Sequence, residues 1–148
     1  MDVIDVLSNS VILLFIIPFL LYLFTGNYIH IKAFLGTAGT IIISESIKYF
    51  IIGNASPRPK GAKNCNFLCN DGDQSDRPGM PSGHSSEVAF FSGFYYQQTT
   101  NPLIRSFLVV YAGLVMLSRY IKHCHTINQI VAGAILGMSF SWLAVRHL

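Results

Sequence analysis

Long apolar runs constrain the fold of this chain more than any other feature of its sequence. The first run, Leu7 to Phe24, is almost unbroken, and a second extends from about Ile31 to Ile52. Each approaches the roughly 20 apolar residues that a helix needs to cross a bilayer. Three further runs follow a polar segment: Ser82 to Gln98, Leu103 to Tyr120 and Thr126 to Val145. The pattern predicts an all-α, polytopic membrane helix bundle with about five transmembrane helices.

The composition agrees with a membrane protein and argues against nucleic-acid binding. Only 11% of the residues are charged while 51% are hydrophobic, and the mean hydropathy is +0.47. The net charge is only +3, and the Lys and Arg residues form no dense block with interleaved aromatics, so no nucleic-acid partner is expected. The N-terminus lacks the positive region and cleavage site of a secretory signal, so we expect the first apolar run to be a helix of the mature protein. Residues 1–148 are predicted to form a single domain.

The longest polar segment, Gly53 to Met80, is rich in Asn, Asp, Gly and Pro. A segment of this length exceeds what a simple connection requires, and we expect it to fold over one end of the bundle as a polar cap. Within it, the run Ser56-Pro57-Arg58-Pro59 places a guanidinium on a stiff, extended backbone, because each proline restricts itself and the residue before it.

Two histidines and several cations occur near the same ends of the predicted helices. Pro81-Ser82-Gly83-His84 opens the third helix, and Ser118-Arg119 closes the fourth, five residues before His125. Ser and Gly are also ordinary capping residues, so the first of these stretches alone is weak evidence for a site. An up-and-down bundle nevertheless places these residues on one membrane face, together with Lys48 and Arg58. Such a set of cations, helix N–H groups and imidazoles suits a phosphate ester or anhydride.

Glu45 and Lys48 lie three residues apart on one face of the second helix. Ionisable groups at membrane depth are costly unless they face a bundle interior or a wet cavity. The pair is therefore either an internal ion pair with Lys48 extending to the interface, or part of a functional site.

The sequence predicts no metal and no cofactor. Three loop carboxylates, Asp71, Asp73 and Asp76, are interpreted as solvated charges. A zinc site built from the cysteines and His123 or His125 fits no standard ligand spacing. Cys65 and Cys69 are expected to form a disulfide if their loop faces an oxidising lumen.

The three polar stretches resemble the signature of the type 2 phosphatidic acid phosphatase (PAP2) superfamily. That pattern reads Lys, six residues, Arg-Pro; then Pro-Ser-Gly-His; then Ser-Arg, five residues, His, three residues, Asp. The second stretch matches at Pro81-Ser82-Gly83-His84, and the third matches from Ser118-Arg119 to His125. The resemblance covers most of the chain, from Lys48 to about Gly137.

The resemblance implies a membrane phosphatase that hydrolyses a lipid phosphate or a polyprenyl diphosphate without a metal. His125 would be the nucleophile that forms a phosphohistidine, and His84 would be the acid that protonates the leaving group. The implied phosphate-binding residues are Lys48, Arg58, Ser82, Gly83 and Arg119. The implied partners are the lipid substrate and membrane lipid, and the sequence does not specify an oligomeric state.

The chain departs from the family pattern at two positions. Nine residues instead of six separate Lys48 from Arg58, so Lys48 serves only if the intervening chain bulges, and Lys60 is a substitute candidate. Gln129 stands where most members have the aspartate that orients the nucleophile. In this respect the run from His125 to Gln129 is similar to the dolichyl-diphosphatase branch, which implies the endoplasmic reticulum and a lumenal site.

Two alternative functions stay open at this point. The first is a lipid phosphotransferase of the same superfamily, which would deliver the group to an acceptor other than water. The second is a catalytically inactive membrane scaffold, which Gln129 and the irregular lysine spacing would favour. His84, Arg119 and His125 argue against a scaffold, because a decayed site has no reason to keep costly polar groups at a membrane boundary.

Overall fold

The computed structural model describes residues 2–148 as a bundle of helices, with no β-strand in that range. Helix α1 and helix α2 are joined by a 3-10 turn into one rod, Val3–Thr25. The bounds are Val3–Asn9 for α1, Leu13–Thr25 for α2, Tyr28–Ser46 for α3, Gly83–Gln98 for α4, Pro102–Ile121 for α5 and Ile127–His147 for α6. The predicted all-α architecture is confirmed, and the helix bounds lie within a few residues of those expected from the apolar runs.

Four helical rods are long and apolar enough to cross a membrane, as expected for an integral membrane protein. They comprise residues Val3–Thr25, Tyr28–Ala55, Pro102–Ile121 and Ile127–His147. Their outer faces expose large apolar side chains such as Phe24, Phe50 and Leu103. Helix α4 is not among these spans, because its 16 residues extend only about 24 Å at 1.5 Å per residue. The prediction of about five spans is thus refined to four spans and one shorter inner helix.

Helix α4 lies at the centre of the bundle. Residues on every side of it are buried, including Glu87, Val88 and Phe90. One apolar cluster joins α4 to the first rod and α5, and it includes Val11, Leu14, Val88, Phe91, Leu108 and Val115. A second cluster, Ala33, Phe90, Phe94 and Ala144, joins α4 to α3 and α6. The inner helix is therefore held on both sides, which fixes the position of its N-terminus.

Two glycines bring α6 against α4 with almost no separation. A Cβ on Gly133 would lie 2.5 Å from the carbonyl oxygen of Ser82, and a Cβ on Gly137 would lie 2.1 Å from that of Ser86. No side chain fits at either position without a shift of the backbone. Such close contact is what a GxxxG pair allows between two helices, and Gln129 is buried beside it with 1% of its surface exposed.

Side-chain caps set the helix starts at the polar end of the bundle. The Ser82 hydroxyl accepts a hydrogen bond from the Ser85 N–H, and this begins α4. Thr126 and Gln129 form a reciprocal capping box that begins α6. These caps place His84 one residue inside α4 and His125 two residues before α6.

The polar segment between α3 and α4 folds back on itself as an irregular hairpin. Isolated β-bridges pair Pro57 with Pro78 and Lys63 with Asp73. The loop carboxylates take part in local turns: an Asp71 oxygen accepts from the Cys65 N–H at 2.6 Å, and an Asp73 oxygen accepts from the Ser75 N–H at 2.9 Å. The hairpin carries Arg58 and Cys65 back toward the helix ends.

Candidate active site

A cavity of about 550 Å³ lies between the first rod, the end of α3, the start of α4 and the polar segment. Its polar wall includes Glu45, Lys48, Arg58, His84, Glu87 and His125, and its apolar wall includes Val11, Ile12, Phe15 and Ile41. The fold thus brings together both histidines and two of the three predicted cations. A cavity with one polar and one apolar wall suits a ligand that has a charged head and an apolar tail.

Arg58 presents its guanidinium to this cavity from the polar hairpin. Its backbone N–H donates to the carbonyl of Arg77 at 2.7 Å, and its Nε donates to that of Pro78 at 3.4 Å. Nη1 is buried without a hydrogen-bond partner. Burial lowers the pKa of Arg58, but a guanidinium stays charged at neutral pH. An unpaired charged donor beside a cavity is costly, so the site is suited to an anion.

The N-terminus of α4 contributes fewer donors than the sequence predicts. The backbone N–H of Ser82 already donates to the carbonyl of Gln129 at 3.0 Å, which contradicts its predicted availability to a phosphate. Ser82 has no exposed surface, because it lies between α4 and α6. Gly83 does line the cavity, and as the first helical residue its N–H has no acceptor within the helix. His84 also lines the cavity, and its Nε2 is buried without a partner.

His125 is oriented by Gln129, one helical turn away. Its Nδ1 lies 3.2 Å from Oε1 of Gln129. The same oxygen accepts from the Thr126 N–H at 3.1 Å, while Nε2 of Gln129 donates to the carbonyl oxygens of Ser56 and Pro57 at 3.2 and 2.8 Å. Since an N–H can only donate and a carbonyl can only accept, these contacts fix the amide orientation. His125 must therefore carry its proton on Nδ1, which leaves Nε2 as a base or nucleophile.

The surroundings of His125 keep its imidazole neutral. Only 3% of the residue is exposed. Burial, followed by the positive charges of Arg58, Arg119 and Lys48, holds the pKa of His125 well below the usual histidine value, and the hydrogen bond that His125 donates to Gln129 offsets this only in part. A neutral imidazole with a free Nε2 lone pair is the form that can attack an electrophile.

Arg119 is close to the site but does not line the cavity. Its guanidinium is fully buried, and it donates hydrogen bonds to the hydroxyl of Ser8 and to the carbonyl of Cys65. Its Nε has no partner. The structure therefore places Arg119 between the first rod, α5 and the polar segment, where it joins the three. Ser8 was not predicted, although a polar residue inside an apolar run is a recognisable signal.

Lys48 reaches the cavity through an irregularity at the end of α3. Residues Ile47–Ile52 form a π-helix, which contains more residues per turn than an α-helix and precedes a 3-10 turn, Gly53–Ala55. The π-helix and the 3-10 turn together accommodate the three extra residues between Lys48 and Arg58 noted in the sequence. Lys48 is 2% exposed and lines the cavity, whereas Lys60 is exposed on the polar hairpin and does not.

The predicted cysteine pairing is wrong. Cys65 is bonded to Cys124, 59 residues away, and Cys69 is free. The sulfur of Cys69 instead lies 2.9 Å from Nζ of Lys122. The hairpin turns Cys65 toward the α5–α6 connection, so the bond forms between two segments rather than within one. It also excludes Cys124 as a zinc ligand, and residues 2–148 contain no cluster of three or more His, Cys, Asp or Glu side chains that could hold a metal ion.

Sequence reasoning missed the contacts that support the site from the polar hairpin. The Ser56 and Pro57 carbonyls bind the Gln129 amide. A Cβ on Gly79 would lie 2.7 Å from the same amide, so only glycine leaves room for it. Main-chain acceptors leave no signal in a sequence, but a glycine beside the Pro-Ser-Gly-His stretch does.

Together, the apolar spans and this buried set of histidines and cations define a helical membrane protein with an enclosed oxyanion site. A sequence model of the PAP2 superfamily matches residues 29–148, and the chain belongs to that superfamily. Its members are generally phosphatases. No curated protein and no solved structure shows significant similarity to the chain.

Proposed function

We propose that the protein is a membrane phosphatase that hydrolyses a lipid phosphate or a polyprenyl diphosphate through a phosphohistidine, without a metal ion. The observation that carries this proposal is the convergence on one cavity of a neutral His125 and two buried nitrogens without a hydrogen-bond partner, Arg58 Nη1 and His84 Nε2. The apolar wall of the same cavity supports a lipid substrate.

In the first step, Nε2 of His125 attacks phosphorus and the bond to the leaving oxygen breaks. Burial and the neighbouring cations hold the pKa of His84 well below its usual value in the empty site, so His84 takes up its proton when the anionic substrate binds. It gives that proton to the leaving oxygen, so an alcohol or a lipid monophosphate departs. Arg58, Lys48 and the Gly83 N–H bind the phosphoryl oxygens as negative charge shifts between them. Arg119 contributes its positive charge from behind this group and holds the surrounding segments in place.

In the second step, water attacks the phosphohistidine. His84, now neutral, takes the proton from the water as the P–N bond breaks and the electron pair returns to Nε2 of His125. The products are inorganic phosphate and the starting enzyme. Gln129 keeps the Nδ1 proton of His125 in place in both steps.

The dolichyl-diphosphatase branch is the proposed subgroup. Gln129 supports it, because the residue orients His125 through the hydrogen bond that an aspartate makes elsewhere in the family pattern. The Cys65–Cys124 bond supports an oxidising compartment and hence a lumenal site in the endoplasmic reticulum. The polar hairpin is proposed to cap this face of the bundle.

Phosphate release by the detergent-purified protein tests the proposal. The substrate panel contains phosphatidate, prenyl diphosphates and sphingoid phosphates, and each reaction is run with and without excess EDTA. We expect release in EDTA and inhibition by vanadate, which mimics five-coordinate phosphorus. Activity that disappears with EDTA and returns with magnesium would contradict the metal-free mechanism, and no release from any substrate would contradict the function.

A further inference from the structure

An ion pair occupies the cationic wall of the cavity. Nζ of Lys48 donates a hydrogen bond to Oε1 of Glu45, and both residues line the cavity. The two side chains differ in their freedom: that of Lys48 is 3% exposed, whereas that of Glu45 is 38% exposed. Lys48 is therefore fixed in place, while Glu45 has room to swing away.

The same carboxylate lies against the first residue of α4. A Cβ on Gly83 would lie 2.9 Å from Oε1 of Glu45 and 3.9 Å from Nζ of Lys48. A helix N-terminus favours negative charge because its first N–H groups have no acceptor. Glu45 thus brings an anionic oxygen to the place where a lysine and a helix N-terminus meet.

We propose that Glu45 is an internal competitor of phosphate, which neutralises Lys48 in the empty site and must move aside when a phosphoryl group binds. This inference rests on the proposed function and adds a specificity-determining residue to it. Two anions cannot share one lysine without repulsion, so bound phosphate and paired Glu45 exclude each other. The expected benefit is weak retention of inorganic phosphate, because Glu45 returns to Lys48 as the product leaves.

Glu87 provides the matched comparison. It is a second carboxylate on the same cavity wall, 6% exposed, yet neither of the two ion pairs within residues 2–148 includes it. Burial raises the pKa of Glu87 to about 8, so Glu87 carries little charge at neutral pH. Glu87→Gln therefore controls for the loss of a carboxyl group from the cavity wall, and Glu45→Asp, which keeps the charge, controls for a general effect of negative charge. A competitor for Lys48 predicts an effect at Glu45 alone.

The test compares Glu45→Gln with Glu87→Gln and with the wild type. Inhibition constants for vanadate and for inorganic phosphate are measured during hydrolysis of one lipid substrate. Glu45→Gln should lower both constants by roughly 5- to 10-fold, a modest factor because the carboxylate is partly solvated. KM should fall as well, and kcat should not rise, since product phosphate leaves a tighter site. Glu87→Gln should leave the inhibition constants within about 2-fold of the wild type.

Unchanged or higher inhibition constants in Glu45→Gln would overturn the inference, and so would an equal decrease in Glu87→Gln. Glu45→Asp gives a second measurement that does not depend on the folding of the Gln variant. It keeps the charge but shortens the reach toward Lys48 by one methylene, so its constants should also fall. Wild-type protein that releases no phosphate would instead refute the proposed function, which separates the two failures.

Discussion

The side-chain oxygen of Gln129 lies 3.2 Å from Nδ1 of His125, while the nitrogen of the same amide donates to the carbonyl of Pro57. One side chain therefore orients the predicted nucleophile and also binds the chain immediately before Arg58. An aspartate at this position could accept from His125, but it has no hydrogen to give to the two carbonyls. This is a physical reason for an amide in this protein.

Replacing Gln129 should affect phosphoryl transfer in two distinguishable ways. Gln129→Leu removes the acceptor for Nδ1–H, and we expect phosphoenzyme formation to slow by on the order of 10²-fold. Gln129→Glu has the same length but faces the Ser56 and Pro57 carbonyls with an oxygen, so it should also destabilise the fold. Rapid-quench kinetics measures the first effect, and ¹⁵N NMR of the His125 ring shows whether the Nδ1–H tautomer is lost. A Leu variant with a normal rate and an unchanged tautomer would show that Gln129 only packs.

Substitutions of the two histidines should have different kinetic effects. His125→Asn should abolish turnover and the acid-labile, base-stable phosphoenzyme. His84→Ala should slow the first step, and less severely for a substrate whose leaving group needs no proton. His123→Asn is the matched control, because His123 is exposed and lies two residues from His125. Equal losses in His84→Ala with good and poor leaving groups would refute its role as the acid.

The pH dependence should reflect the depressed pKa of His125. The reactive form is the neutral imidazole, so activity is lost only as the pH falls through this lowered pKa. With a good leaving group, kcat/KM should therefore hold its plateau at pH values below about 6.5, where an ordinary histidine is already protonated. Arg58→Gln removes a positive neighbour, which should raise the pKa of His125 and move the acid limb of the kcat/KM profile to higher pH. An acid limb that does not move in this variant would contradict the electrostatic explanation, once ionisation of the substrate is accounted for.

The Cys65–Cys124 bond should be needed for full activity. It anchors the segment whose Cys65 carbonyl accepts from Arg119, and Cys124 directly precedes His125. We expect Cys124→Ser to lower stability by roughly 2 to 4 kcal/mol and to reduce kcat. Cys69→Ser is the control, since Cys69 is free. Mass spectrometry of alkylated, non-reduced protein from cells checks the pairing, and a protein with three alkylated cysteines and full activity would contradict the prediction.

The α4–α6 contact should tolerate no added methyl group. In Gly137→Ala the new Cβ would meet the Ser86 carbonyl at 2.1 Å and Phe90 N at 2.8 Å. We expect a loss of roughly 1 to 3 kcal/mol from overpacking, with a decrease in activity because α4 carries His84. Gly113→Ala, in α5, is the control because nothing lies within 4 Å of its Cβ. Thermal unfolding in detergent should separate the two variants, and equal midpoints would contradict the close packing.

The sequence by itself determined where the helices lie and which residues are candidates for the site. Bilayer thickness fixes the length of an apolar run, and caps such as Thr126 act on adjacent residues, so both can be read locally. The spacing of Pro-Ser-Gly-His and of Ser-Arg to His125 likewise identified the candidate residues of the site.

Only the tertiary structure decided which long-range partners those residues have. Cys65 could pair with a cysteine four residues away or with one 59 residues away, and the path of the polar hairpin brings it to the distant one. The same hairpin brought the Cys65 carbonyl to Arg119, and a π-helix turned Lys48 into the cavity while leaving Lys60 outside. These outcomes depend on the free energy of closing and packing whole segments, which no single residue or local spacing encodes.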